Sequence, residues 1–176
     1  MNNIIYIRPI VPEDAKTSFK WRNKPEIWKY TKFKTDCPIT LEKELRWLLE
    51  VLERKDQIRF AICISATHEY IGNVHLINIT ETEAEFHLLI GNDAWWGKGI
   101  GEIATDLMIT HAFLSLNLQK IILEVHVENF PAISIYKKCG FIKGNINSPF
   151  AQMELTQSNF KRSKSYEKNY FTFSER

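Results

Sequence analysis

The chain has 176 residues, 44% of them hydrophobic and 25% charged, a balance typical of one globular domain with a sizeable core. Its 23 basic and 21 acidic residues give a net charge of +2, which argues against a nucleic-acid or membrane-surface partner. Three widely spaced cysteines predict no disulfide framework and no metal site, so we expect a reducing, cytoplasmic compartment. The first residues do not resemble a secretory signal, and no apolar run is long enough to cross a bilayer.

The first part of the chain predicts a strand, short helices and one longer helix. Residues 4–10 form a short apolar run typical of a strand, and residues 13–30 indicate one or two short helices interrupted at Pro25. After a polar loop, Thr40 is a good N-cap for a helix whose apolar residues recur at helical spacing. These apolar residues are Leu41, Leu45, Leu48, Leu49 and Leu52.

Three strands follow, and helices and strands then alternate to the end of the domain. Residues 58–65, 70–79 and 84–90 read as strands, and their short connections favour antiparallel neighbours. After a glycine-rich loop come, in order, a long helix from about residue 100, a strand at 120–127, a short helix at 131–139, and one or two strands from residue 141.

This order predicts a single mixed α/β domain over residues 1–160. The strand–helix–strand unit that begins near residue 84 should form a right-handed parallel crossover. Residues 161–176 are polar and charged with four aromatic side chains, and we expect either disorder or a partner contact there.

The loop before the long helix has the composition of an anion site. Glycines let the backbone turn tightly, and the N–H groups and dipole of the following helix favour a phosphate. An ordinary glycine turn is the alternative, and the patterns of the P-loop and of the dinucleotide fingerprint are both missing. The loop residues are Trp96, Gly97, Lys98, Gly99, Ile100 and Gly101.

Two motifs in this order resemble those of the GNAT acetyltransferases, over roughly residues 4–144. Gly99 and Gly101 match the glycines of that family's coenzyme loop, and Trp96 stands where the family has Arg or Gln. Farther along, Asn129, Tyr136 and a Cys-Gly-Phe ending match the segment after the family's fifth strand. The resemblance implies a mostly antiparallel sheet of six or seven strands, flanked by helices, with one parallel pair splayed at an acetyl-CoA site.

The resemblance also implies roles for individual residues. Backbone amides of residues 96–101 would bind the coenzyme pyrophosphate, and a backbone N–H near Leu89 or Ile90 would bind the oxyanion. Asn129 would bind the pantetheine arm, cap the following helix, or do both. Tyr136 would also contact the coenzyme and protonate the leaving thiolate, and a packed helix tyrosine is the alternative.

A general base for the attacking amine is less clearly marked. Glu85 lies in an Ala-Glu-Phe segment that recurs in the family, and we take it as the catalytic candidate. His87 shares its strand face by two-residue alternation and is a candidate substrate contact with a suitable pKa. The alternatives are that both are solvated strand residues, or that a water chain accepts the proton.

The acceptor side of this fold is built partly from its first helices. Arg22 could pair with a phosphate, and Trp28 and Tyr30 could stack on a sugar or a base. The alternative is a helix face that packs on the core with Arg22 in solvent.

The leading hypothesis is acetyl transfer to a primary amine of a small molecule, such as an amino sugar or a sugar nucleotide. Acetylation of a protein N-terminus or of a polyamine is the alternative within enzymes. A non-catalytic acyl-CoA-binding domain is the alternative outside them. The aromatic residues of the tail make a homodimer a further prediction.

Overall fold

The computed structural model describes residues 4–32 and 37–160, which form a seven-stranded sheet between two groups of helices. The strands are Ile5–Pro9 (β1), Ile58–Ile64 (β2), Tyr70–Ile77 (β3), Glu83–Ile90 (β4), Lys120–His126 (β5), Ile142–Asn147 (β6) and Phe150–Thr156 (β7). The helices are Ala15–Arg22 (α1), Pro25–Trp28 (α2), Leu41–Leu52 (α3), Ile100–Leu114 (α4) and Phe130–Lys138 (α5). The predicted order of elements is confirmed.

The strands lie in the order β1-β2-β3-β4-β5-β7-β6. Every neighbouring pair is antiparallel except β4 and β5, which are parallel and joined through α4. The predicted mixed fold with one parallel pair is therefore confirmed.

The parallel pair separates soon after it begins. Within the described residues β4 and β5 pair from Glu83 and Lys120 to Glu85 and Ile122. Beyond this point β4 continues to Ile90 along β3, while β5 continues to His126 along β7. The sheet consequently opens between the far ends of β4 and β5, and we call this gap the opening.

The two faces of the sheet are covered differently. One face carries the larger core, in which α4 and α5 cover alternate residues such as Phe86 of β4 and Leu123 of β5. On the opposite face, which we call the acceptor face, α1 and α3 pack on Ala61, Cys63 and Tyr70 of β2 and β3. Helices α1 and α3 thus lie over β2 and β3, and shorter segments of the chain lie over β4 and β5 on this face.

Helix α3 begins after Thr40, whose hydroxyl accepts a hydrogen bond from the Lys43 amide (3.2 Å) as predicted. Of its five leucines only Leu48 is buried, and the other four are 37–48% exposed. The helix turns Glu44 inward instead, because Ser18 and Arg22 of α1 both bind this carboxylate.

No helix among the described residues is long and apolar enough to span a membrane. The predicted tail, residues 161–176, lies outside the described part of the chain, so the domain boundary at residue 160 stays a prediction.

Candidate active site

The glycine loop has a backbone conformation that other residues rarely adopt. Gly97 and Gly99 have φ angles of +71° and +77°, in the left-handed region, and Gly99 directly precedes α4. A Cβ added to either glycine would meet no atom of the described residues within 4 Å, so the loop is open to a ligand. Since the first-turn amides of α4 have no intrahelical acceptor, the loop and helix together fit a pyrophosphate.

Gly101 serves a different purpose from the two glycines before it. A Cβ at this position would lie 2.9 Å from Cδ1 of Ile135 in α5 and 3.4 Å from Cδ2 of Leu88 in β4. Glycine therefore lets α4 lie close to both elements. The spacing of the loop motif alone did not predict this packing role.

Side chains attach the loop to the end of β4. The indole Nε1 of Trp96 donates a hydrogen bond to the Ile90 carbonyl (2.8 Å), while the residue as a whole is 46% exposed. The ammonium group of Lys98 lies over the Trp95 ring (4.7 Å). Trp96 thus anchors the loop through its side chain.

The end of β4 directs its backbone groups alternately to the two sides. The Gly91 amide donates to the Ile71 carbonyl of β3 (2.8 Å). Backbone groups of successive strand residues point in opposite directions, so the Ile90 amide faces the opening. Of the two predicted oxyanion donors, Leu89 and Ile90, the alternation favours Ile90.

Tyr136 and Asn129 lie on the side of the opening that α4 and α5 cover. The Asn129 side chain caps α5 by accepting a hydrogen bond from the Ala132 amide (3.3 Å). Tyr136 is 7% exposed, and its ring contacts Phe86 of β4 (5.9 Å) and Phe141 (5.8 Å). Burial raises the pKa of Tyr136 far above that of a free phenol, so the hydroxyl keeps its proton.

A row of polar side chains crosses the acceptor face at one level of the sheet. The register places Arg59 of β2 beside His75 of β3, and His75 beside His87 of β4. The two imidazoles stack at 5.1 Å with an angle of 10° between their planes. We call Arg59, His75 and His87 the polar row, and it ends at the opening.

Glu85 holds the last member of the row in place. His87 Nε2 donates to Glu85 Oε1 (2.8 Å), and Asn78 Nδ2 donates to Glu85 Oε2 (3.1 Å). Burial lowers the pKa of His87, and the Arg59 charge lowers it further, against the opposing effect of Glu85 and Glu124. The arrangement gives a neutral imidazole whose Nε2 carries the proton and whose Nδ1 is the basic atom.

The predicted acceptor residues fall into two groups. Tyr30 lies beside the opening, where its ring packs against His126 of β5 (5.5 Å). Arg22 and Trp28 lie over the other end of the polar row, next to Trp47 of α3. Within this group the Trp28 indole donates to the Arg22 carbonyl (2.6 Å).

The charge of Arg22 is already offset within the protein. Its Nη1 is 2.7 Å from Oε2 of Glu44, a carboxylate that is 1% exposed and also accepts a hydrogen bond from Ser18 (2.6 Å). The guanidinium lies 4.4 Å from the Trp47 ring centre and 5.4 Å from that of Trp28. Neither predicted alternative, a phosphate contact or a solvated side chain, included this ion pair.

Several residues at the site were not singled out from the sequence. Lys32 forms an ion pair with Glu124 of β5 and lies over the Phe150 ring, so residues 29–32 extend over the acceptor face. Trp47 and Arg59 belong to different elements and meet above the sheet (5.3 Å). The alternation of strand residues predicts on which face of the sheet Arg59 and Glu124 lie. Their neighbours depend on how the strands pair, and the sequence pattern does not give that register.

Among the described residues there is no group of three or more histidine, cysteine, aspartate or glutamate side chains placed to hold a metal ion.

Comparison with known proteins defines the class of this fold and site. The family model for the acetyltransferase (GNAT) domain matches residues 5–142. The chain therefore belongs to the GNAT family, and it is an acetyl-CoA-dependent N-acetyltransferase.

Individual relatives cover most of the chain. It is 38% identical over 145 residues to spermidine N(1)-acetyltransferase of Vibrio cholerae, covering 81% of this chain and 82% of that protein. It is 28% identical over 149 residues to acetyltransferase PseH of Campylobacter jejuni, covering 85% and 90%. The crystal structure of the Vibrio cholerae spermidine N-acetyltransferase with CoA and spermine superposes with a TM-score of 0.79, at 25% identity, over 90% of this chain and 98% of that one.

Proposed function

We propose that this protein transfers the acetyl group of acetyl-CoA to the primary amine of a small molecule by direct attack on the thioester. The observation that carries the proposal is the opening between β4 and β5, which has a proton donor on one side and a proton acceptor on the other. Tyr136 packs against Phe86, whose side chain lies on the coenzyme side of β4. Because strand residues alternate, His87 projects to the acceptor face.

The coenzyme fits the residues on its side. The amides of residues 97–101 bind the pyrophosphate at the start of α4, and Asn129 lies where the family places its pantetheine contact. When bound, acetyl-CoA supplies an activated acetyl group. The Ile90 amide then stabilises negative charge on the acetyl oxygen.

The two titratable groups divide the proton transfers between them. His87 Nδ1 accepts the amine proton, while Glu85 fixes the imidazole through Nε2. Tyr136 donates its proton to the departing sulfur: burial raises its pKa, which keeps the hydroxyl protonated before the reaction but makes it a weaker acid, so the transfer depends on the negative charge that develops on the sulfur. Glu85 thus acts through His87 as a positioning residue rather than as the base itself.

Polyamine acetylation is the second candidate function. Relatives at 30% and 38% identity are named spermidine N(1)-acetyltransferases. On this reading a linear polycation would occupy the acceptor face.

Acetyl-CoA turnover, read as free-thiol release, tests the proposal against a panel of amines. The panel contains amino-sugar nucleotides, polyamines, aminoglycosides and short peptides, with a Tyr136→Phe variant as control. Amine-dependent release that collapses in the variant supports the proposal and identifies the acceptor class. Coenzyme binding without release for any amine would favour the non-catalytic alternative, and an absence of coenzyme binding would contradict the proposal altogether.

A further inference from the structure

Arg59 is a partly buried cation on the acceptor face that has no carboxylate partner among residues 4–32 and 37–160. Its Nε donates to Gln57 Oε1 (2.8 Å), and its guanidinium lies over the Trp47 ring (5.3 Å). Neither contact neutralises the charge. The two Nη groups, which form the fork that binds oxyanions, have no hydrogen-bond acceptor in the described part of the chain.

The surroundings of Arg59 add to the positive potential. Burial, with a smaller contribution from the charges of Arg54 and Arg22, lowers its pKa to about 10, against a weaker opposing effect of Asp56. A lowered pKa means that the protein environment disfavours the charged form of this side chain. An anion bound next to the guanidinium would stabilise the charged form instead.

The carboxylates that border the polar row are already engaged. Glu44 binds Arg22 and Ser18, Glu85 binds His87, and Glu124 forms an ion pair with Lys32. A polycationic acceptor would have to displace these partners and would also face Arg59. Among the residues that the structure describes next to the polar row, the charge left without an ionic partner is that of Arg59, which favours an anion.

A second unsatisfied group lies next to Arg59 in the register. His75 Nδ1 is buried and has no hydrogen-bond partner within the described ranges, although buried polar atoms in folded proteins are nearly always paired. Burial and the neighbouring Arg59 and His87 hold the His75 pKa well below its ordinary value, so the imidazole is neutral. The unpaired cation and the unpaired imidazole nitrogen are thus neighbours on the acceptor face.

The polar row also gives the spacing of the two ends of the acceptor. Arg59 lies on β2, two strands away from His87 on β4. Neighbouring strands are about 5 Å apart, so the two backbones are separated by roughly 10 Å. An acceptor lying along the row would reach Arg59 with one end and the opening with the other.

We propose that the acceptor is an amine that also carries an oxyanion, a phosphate or a carboxylate, and that Arg59 binds this group while the amine lies at His87. The inference rests on the proposed function and makes Arg59 a specificity-determining residue. In this proposal Trp47 lines the site next to Arg59, and Trp28 lines it next to Arg22.

Matched acceptors test the inference at saturating acetyl-CoA. The set contains a free hexosamine, its phosphorylated form, a nucleoside-diphosphate-linked amino sugar, a linear amino carboxylate and spermidine. We expect at least one anionic amine to exceed the neutral hexosamine in kcat/KM by about tenfold or more, since hydrogen bonds to charged groups are of that size. The phosphate and carboxylate members show which oxyanion is preferred.

Two substitutions of Arg59 isolate its role. Arg59→Gln should abolish the preference for the anionic amine, leaving the KM for acetyl-CoA unchanged, and Arg59→Lys should restore part of it. Arg46→Gln is the matched control, because Arg46 lies on α3 next to Trp47 but is exposed and paired with Glu42 (3.5 Å). The control should keep the full preference.

If no amine of the set is acetylated, direct binding of inorganic pyrophosphate still tests the role of Arg59. The binding is measured by calorimetry, with the coenzyme site saturated by CoA. Wild-type protein should bind pyrophosphate about tenfold more tightly than Arg59→Gln. The inference is overturned if spermidine or the neutral hexosamine is preferred and Arg59→Gln behaves as wild type, or if both proteins bind pyrophosphate equally. The proposed function fails separately, through loss of coenzyme binding, whereas an active Tyr136→Phe variant would overturn only the role of Tyr136 as the acid.

Discussion

The hydroxyl of Tyr136 makes no hydrogen bond within the described residues, although its ring is buried between Phe86 and Phe141. A side chain placed in this way stabilises the fold through its ring alone, which leaves the O–H group for the reaction. The stability and the activity of the protein should therefore respond differently to its loss.

Tyr136→Phe should lower kcat about 100-fold or more, the size of a general-acid contribution. The free energy of unfolding should change by less than about 0.5 kcal/mol, because no hydrogen bond is lost. Steady-state kinetics and urea unfolding of the same preparations check both values. A variant that unfolds early but keeps wild-type kcat would assign Tyr136 a packing role only.

The charge state of His87 gives a prediction on pH. Burial lowers its pKa below the ordinary 6.5, and Arg59 across the sheet lowers it as well, while Glu85 on its own strand and Glu124 of β5 oppose this effect; His75, which stacks on His87, is neutral. The His87 imidazole is thus neutral, and competent as a base, from below pH 6.5 upward. NMR titration of the histidine ring should give a midpoint below 6.5.

Substitution of the charged neighbours should shift the midpoint of this titration, in a direction that depends on the charge removed. Arg59→Gln removes a positive charge and should raise the pKa of His87, whereas Glu85→Gln removes a negative one and should lower it. A midpoint in wild-type protein at or above 6.5, or shifts of the opposite sign, would contradict the assignment.

The sequence was informative about single residues wherever a motif is a continuous run. Gly99, Asn129 and Tyr136 stand in such runs, and the structure places all three around one opening. The functions of these residues remain predictions. Arg59 and Glu124 could not be found in this way, since their neighbours come from other strands and from the segment after α2.

At the level of elements, the loop before α4 depends on a left-handed glycine. Gly99→Ala should force the loop out of its φ of +77°, which costs about 1–2 kcal/mol in that region. Because the following amides would move, we expect the KM for acetyl-CoA to rise about tenfold with little change in the KM for the amine.

Gly144→Ala in β6 is the matched control for this loop. A Cβ there would lie 3.6 Å from the Gln152 carbonyl oxygen, an ordinary contact, and no left-handed φ is required. Equal KM values for the coenzyme in both variants would show that the glycine loop does not set coenzyme binding.

The packing of α1 against α3 depends on a carboxylate that is almost completely buried. Arg22→Met would leave Glu44 with its Ser18 hydrogen bond and without a cation, which should cost about 3 kcal/mol of unfolding free energy. Arg46→Met on the exposed side of α3 should cost less than about 0.5 kcal/mol. Urea unfolding measures both.

A double variant, Arg22→Met with Glu44→Leu, should recover much of the loss, since it removes the uncompensated charge. A single variant as stable as wild type would mean that the ion pair contributes nothing to the attachment of α1.

The order of the elements followed from periodicity and turn residues, because each helix or strand is encoded locally. The orientation of α3 did not follow from periodicity. Its leucine spacing predicts an apolar face, yet the side turned inward contains Glu44 and Leu48. The reason is tertiary: the partners of Glu44 lie on α1, and helical periodicity carries no information about them.

At the level of the whole molecule, the proposed mechanism places the two substrates on opposite faces of the sheet. In this proposal helices α4 and α5 and the glycine loop bind the coenzyme, while the polar row together with Tyr30 and Lys32 receives the acceptor. The homodimer predicted from the tail aromatics stays a prediction, since residues 161–176 lie outside the described part of the chain.

Transfer of an isotopically labelled acetyl group from acetyl-CoA to an amine, followed by mass spectrometry, tests the central claim most directly. We expect a labelled N-acetyl product with wild-type protein, strongly reduced product with Tyr136→Phe, and no covalently labelled protein, because in the proposed mechanism the amine attacks the thioester directly. Label that accumulates on the protein, or free thiol released with no acetylated amine, would contradict it.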